Sequence, residues 1–151
     1  MKLAEALIER AEIQKKNRQL IDRIKDNANI QEGDLPPEKP EELIAVYEGN
    51  MVRFLELVQR INETNCKKPF DETRSIADAI ALRDCLASKI RAYREFYESA
   101  TIKLNRYSQK EIKTVRCIDA KEMQNQIDRF SKEYRQIDTK LQSINWTVDL
   151  L

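Results

Sequence analysis

Apolar residues recur along this chain at helical spacing, and three short stretches interrupt the repeat. Over residues 2–28, Leu3, Ala6 and Leu7 form one patch, and Ile13, Leu20, Ile21, Ile24 and Ala28 continue the stripe. Arg10, Gln14 and Asn17 fall near the same face; a polar group inside a helical seam costs stability but fixes register or partner number. Gly33 and the prolines 36, 37 and 40 then end the helix, which predicts a turn between antiparallel helices. A second helix opens with Pro40 at its first position, where the missing N–H costs nothing, and with Glu41 and Glu42 at the positive end of the dipole. Leu43, Tyr47, Asn50, Phe54, Leu57 and Ile61 follow at spacings of four and three, widened by Val46, Met51 and Val58, and the helix ends near Cys66.

Ser75 and Asp78 stand as a capping pair before a third helix. Its stripe is Ala79, Leu82, Leu86, Ile90, Tyr93, Tyr97, Ala100 and Leu104, and a second row of Ile76, Ile80, Arg83, Ala87 and Arg94 lies beside it. In residues 105–118, Ser108 and Glu111 could cap a short helix, but Ile112, Thr114, Val115 and Ile118 favour an extended connector. Asp119 and Glu122 open the last helix, where Met123, Ile127, Phe130, Tyr134, Ile137, Leu141 and Ile144 fill every seam position of a coiled-coil heptad pattern. About 27 residues at 1.5 Å each make it roughly 40 Å long. The predicted fold is all-α: one domain over residues 1–151, an antiparallel bundle of about four long helices with coiled-coil character. Long thin bundles bury little surface per chain, so a homo-oligomer is expected.

Composition narrows the function classes. There are 27 Lys+Arg against 26 Asp+Glu, no histidine, two glycines and four prolines in 151 residues. The missing histidine removes serine–histidine and cysteine–histidine catalysis and the commonest metal ligand. No motif places carboxylates beside a nucleophile or a metal cluster, so no enzyme, cofactor or metal is expected. A net charge of +1 argues against a duplex nucleic-acid partner. Glu5, Glu9 and Glu12 interrupt the apolar core that an export signal needs, and no stretch has bilayer length, so a cytoplasmic protein with no membrane partner is expected. Cys66, Cys85 and Cys117, odd in number and widely spaced, read as ordinary thiols.

Charge is nonetheless uneven: residues 31–63 hold eight acids and three bases, and residues 83–116 hold nine bases and four acids. The densest polar constellation is Thr73, Arg74, Asp78, Arg83 and Asp84, with a second at Asn105, Arg106, Tyr107, Ser108, Lys110, Lys113 and Arg116. Arginine forks bind phosphate or carboxylate in two places at once, and Tyr107 could stack on a base. A helix about 30 residues long would hold the two clusters about 45 Å apart, so they could share one site only across a subunit boundary. Salt bridges and helix caps are the competing explanation.

The segments MKLAEAL, QEG, PEKPEEL, RINETN, TRSIADAIALRD, NRYSQKEIK and the closing NW resemble the septicolysin-like family of small bacterial proteins. Glu72 stands where that pattern would have a glycine. The resemblance implies a helical protein without an established activity, in which Thr73, Asp78, Arg83, Asp84, Arg106, Tyr107, Ser108 and Glu111 serve more than solubility. The expected function is a non-enzymatic oligomer that binds a small anion, such as a phosphate-bearing nucleotide, between subunits through Arg83, Arg106 and Lys113 or Arg116. The alternatives are a coiled-coil scaffold or adaptor for another protein and, third, a membrane-active cytolysin.

Overall fold

A computed structural model describes residues 1–102 and 114–151. It contains four α-helices: α1 (Leu3–Asp26), α2 (Pro40–Lys67), α3 (Ile76–Thr101) and α4 (Ala120–Thr147). The described residues form no strand beyond two isolated bridges, Lys2 with Asp149 and Pro69 with Ser75. The protein is all-α, as its periodicity predicts.

The helix ends follow local chemistry. At the start of α1 the Lys2 N–H donates to the Glu5 carboxylate at 2.6 Å. Pro40 occupies the first position of α2 behind Lys39. Asp119 caps α4, its Oδ1 accepting the Lys121 and Glu122 N–H groups at 3.0 and 3.1 Å. The Glu122 carboxylate accepts from the Gln126 side chain one turn on. Ser75 precedes α3 and Asp78 lies in its first turn. The first turn is organised by Asn27, which is buried while Ala28 is exposed, shifting the predicted end of the stripe by one residue. Asn27 donates to the Arg23 carbonyl at 2.9 Å and accepts the Glu38 N–H at 3.0 Å. Gly33 turns the chain with φ of 91°, a region that side-chain-bearing residues rarely occupy.

The described residues divide into two compact units. Met1–Ile76 with Ser143–Leu151 form one of them. In it, Glu9 pairs with Arg53, Asn17 with Asn50 and Arg23 with Glu38, so α1 and α2 run antiparallel. Leu3, Ala6, Ile13 and Leu20 are buried on α1, and Leu43, Leu57 and Ile61 on α2. The end of the chain is sewn to this hairpin. Leu3 N–H donates to Val148, Leu150 N–H to Met1 and Leu151 N–H to the Thr64 hydroxyl, each at 3.0 Å.

Ala77–Gln142 form the second unit. Arg83 meets Asp138, and Tyr93 meets Phe130, so α3 and α4 are also antiparallel. Ala79, Leu86 and Ile90 are buried on α3, and Ile127, Phe130, Ile137 and Leu141 on α4. Met123, Tyr134 and Ile144 are half-buried, so all seven predicted α4 seam positions face inward. The Tyr93 and Phe130 rings meet edge to face at 5.2 Å, a favoured aromatic geometry.

Some expectations fail in detail. Val46 is 53% exposed and does not widen the buried face of α2. Helix α3 stops at Thr101, short of the stripe's projected end at Leu104. Residues 105–113 of the predicted extended connector lie outside the described residues, and 114–118 are irregular chain without strand pairing.

Candidate functional site

The polar cluster before α3 is a closed turn. Asp71 Oδ1 accepts the Thr73 N–H at 3.0 Å, the Thr73 hydroxyl at 3.2 Å and the Arg74 N–H at 2.9 Å. Its Oδ2 accepts both Arg74 Nε and a terminal guanidinium nitrogen, at 2.9 and 2.6 Å. The Arg74 guanidinium also lies 5.4 Å from the Phe70 ring centroid. The Arg74 fork, with the backbone N–H groups, holds the Asp71 carboxyl well below the usual carboxylate range. Sequence reasoning singled out Thr73 and Arg74 but missed Asp71, the group that organises them. The signal was an aspartate two residues before a threonine, a frequent side-chain-to-backbone turn.

Arg83 is likewise engaged. Its stem is on the inner row of α3, and its guanidinium donates to Asp84 at 2.9 Å and to Asp138 of α4 at 3.4 Å. Burial lowers its pKa and the two carboxylates more than offset this, so its pKa is raised. Asp78 is exposed in the first turn of α3. Arg116 is exposed and borders a groove of about 510 Å³ with Ile102, Val115 and Ile118. Arg106, Tyr107, Ser108 and Lys113 lie outside the described residues. Thr73 and Arg74 are thus tied to Asp71, and Arg83 to Asp84 and Asp138.

Two open grooves are more distinctive. The first, about 490 Å³, runs along the α1–α2 hairpin, lined by Asn17, Arg18, Ile21, Tyr47, Met51 and Phe54. Its wall contains the polar seam: Asn50 Nδ2 donates to Asn17 Oδ1 at 2.8 Å, and Asn17 Nδ2 donates to Met51 Sδ at 3.4 Å. Beside it, Arg53 forks onto Glu9 at 2.7 and 2.9 Å and holds that carboxyl below its ordinary range. The second groove, about 330 Å³, lies on the α3–α4 hairpin, lined by Ala87, Ile90, Arg94, Ser131, Tyr134 and Arg135. Among the described residues no group of His, Cys, Asp and Glu is arranged to hold a metal ion.

A family model, described as a family of unknown function (DUF6847), matches residues 10–150. The chain belongs to that family. It is also similar to a solved structure described as a functionally unknown conserved protein from Corynebacterium diphtheriae, with 40% identity and a TM-score of 0.91. That match covers 100% of this chain and 99% of the other. No curated protein matches. These findings correct the resemblance to the septicolysin-like family: a match over nearly the whole chain places it in DUF6847, and neither finding points to septicolysin.

Proposed function

We propose that this DUF6847 member is a non-enzymatic cytoplasmic protein that works by binding, and that its first partner is a copy of itself. The observation that carries this reading is the width of the apolar arc on α2. Leu43, Leu57 and Ile61 are buried, yet Ile44, Leu55 and Val52 on the continuing arc are 46%, 57% and 72% exposed, and Tyr47, Met51 and Phe54 border open space. A helix that needed only α1 as neighbour would carry a narrower stripe. Apolar surface of this kind, contiguous rather than scattered, marks an association site.

Binding rather than catalysis is supported by the electrostatics. Six carboxylates among the described residues are lowered from their ordinary range, with an Arg or Lys hydrogen bond as the largest cause: Glu9, Glu38, Glu56, Glu63, Asp71 and Asp149. Such shifts are those of structural ion pairs; a general acid needs a raised carboxyl. Arg74 and Arg83 already hold carboxylates, so a phosphate would have to compete for them, and self-assembly stands ahead of anion binding. Native mass spectrometry at micromolar concentration is the test. A discrete oligomer is the expected result, whereas only the 17.8 kDa monomer overturns the reading.

A further inference from the structure

We infer that the groove between α3 and α4 is a binding site for a small phosphate monoester, held by Arg94 and Arg135 over an apolar floor. This goes beyond the self-assembly reading and does not depend on it, because every residue involved belongs to the second unit.

The site starts from the helical repeat. Arg83, Ala87, Ile90 and Arg94 follow one another at spacings of four, three and four, which puts them on one row of α3. Ser131, Tyr134 and Arg135 of α4 line the other side of the groove. The antiparallel pairing sets Arg83 against Asp138 and Tyr93 against Phe130. The row therefore opens with a cation that α4 answers with a carboxylate. It closes with Arg94, which α4 leaves unanswered. No carboxylate lines the groove, and neither Arg94 nor Arg135 forms an ion pair with a described residue. Lys89 and Arg129 of the same hairpin, by contrast, are engaged over the Phe130 ring.

The register also aims the two free cations at each other. Arg94 stands seven residues, about 10 Å, beyond Ala87 along α3, and Arg135 stands four residues, about 6 Å, beyond Ser131 along α4. Side chains on a helix lean toward its N-terminus. In an antiparallel pair the two leans oppose, so Arg94 leans toward Ala87 and Arg135 toward Ser131, into the same groove. Converging guanidinium groups repel one another, and an anion between them turns that repulsion into attraction.

Chemistry then selects the ligand. Two permanently charged forks match a phosphate monoester in charge and in the paired geometry of its oxygens. The Ser131 and Tyr134 side chains are half-buried in the wall, and their hydroxyls can donate to the remaining oxygens. Ile90 is buried beneath the groove and Ala87 is half-buried beside it, so the floor is apolar and favours a ligand with an apolar body. At about 330 Å³ the groove is at the small end of ligand sites, which suits a phosphate joined to one ring or a short chain.

The experiment is isothermal titration calorimetry of the full chain with phenyl phosphate, inorganic phosphate and phenol. Phenyl phosphate should bind saturably, one per chain and more tightly than inorganic phosphate, and phenol should not bind. Arg94→Gln and Arg135→Gln should each weaken phenyl phosphate about tenfold or more, while circular dichroism shows wild-type helix content. Arg91→Gln removes an exposed cation of α3 that does not line the groove, and should leave the affinity unchanged. Sedimentation with phosphatidylcholine vesicles containing phosphatidic acid separates a lipid-borne phosphate from a free one, and no co-sedimentation is expected. Vesicle binding without phenyl phosphate binding overturns the small-molecule assignment. So does an absence of saturation at millimolar phenyl phosphate, or a loss in Arg91→Gln equal to that in the two groove variants. None of these results bears on self-assembly, which native mass spectrometry tests by itself.

Discussion

The buried amide pair in the α1–α2 seam offers the sharpest quantitative test. Asn17 is 7% exposed, and its Oδ1 accepts a hydrogen bond from the Asn50 amide at 2.8 Å. Replacing Asn17 with alanine removes that acceptor and the donor to Met51, and leaves a half-buried amide without its partner. A lost neutral hydrogen bond is worth about 1 kcal/mol, and stranding the remaining group adds about as much, so Asn17→Ala should cost about 2 kcal/mol. For a chain of this length that is about 4–8 °C in Tm. Asn50→Ala should cost a similar amount, but the double alanine variant should cost about 1–2 kcal/mol less than the sum, because the same bond is broken only once. Asn17→Leu with Asn50→Leu should be close to neutral, since both polar groups leave together, while losing uniqueness of register or subunit number. Urea unfolding followed by circular dichroism, at one fixed protein concentration, measures all of these. Strictly additive single and double alanine variants would refute the reasoning, because they would mean that the two amides do not depend on each other.

Three further predictions follow from other contacts. Thr64 is fully buried, and its hydroxyl donates to the Arg60 carbonyl at 2.7 Å and accepts the Leu151 N–H at 3.0 Å; Thr64→Val should cost about 1–2 kcal/mol and speed hydrogen exchange at Leu150 and Leu151, as read by NMR. Phe130 is 8% exposed against Tyr93, with Lys89 and Arg129 over its ring; Phe130→Ala should cost about 3 kcal/mol in urea unfolding. The folded pKa of Asp71 is depressed, so its pairing with Arg74 contributes fully above the unfolded value near 4 and is lost as pH falls through the folded one. The Tm difference between wild type and Asp71→Asn should therefore be largest at neutral pH and shrink steadily below about pH 4.

The helices were legible because each rule needed only local chain. Seven inward positions on α4 follow from one alternation of four and three, and Asp119 and Pro40 act through groups within four residues of themselves. Where a position depends on a distant segment, the same rules fall short. Thr64 reads as a polar residue near a helix end, yet it is fully buried, because the far end of the chain returns to use its hydroxyl. Asn27 displaces Ala28 from the stripe for a related reason: its side chain bonds both ends of the first turn, which periodicity does not register. Val46 fails in the opposite sense, since apolar character places a residue near a face but not beneath a neighbour.

The candidate site shows the same boundary from the side of charge. Arginine density drew attention to Arg74 and Arg83, but a cation's availability is decided by the carboxylates that reach it. Asp71 lies three residues from Arg74, while Asp138 lies 55 residues from Arg83 and only the antiparallel pairing of α3 and α4 brings it near. Once those cations are engaged, the informative residues are the ones left over: Arg94 and Arg135 at one groove, and Ile44, Val52 and Leu55 on an α2 arc that α1 does not cover. Burying such apolar surface yields about 25 cal/mol per Å², so a contact of several hundred Å² would be the largest favourable interaction open to the folded chain. An apolar arc wider than its visible neighbour is the feature of this family member that points beyond its own fold, toward a second layer of helices.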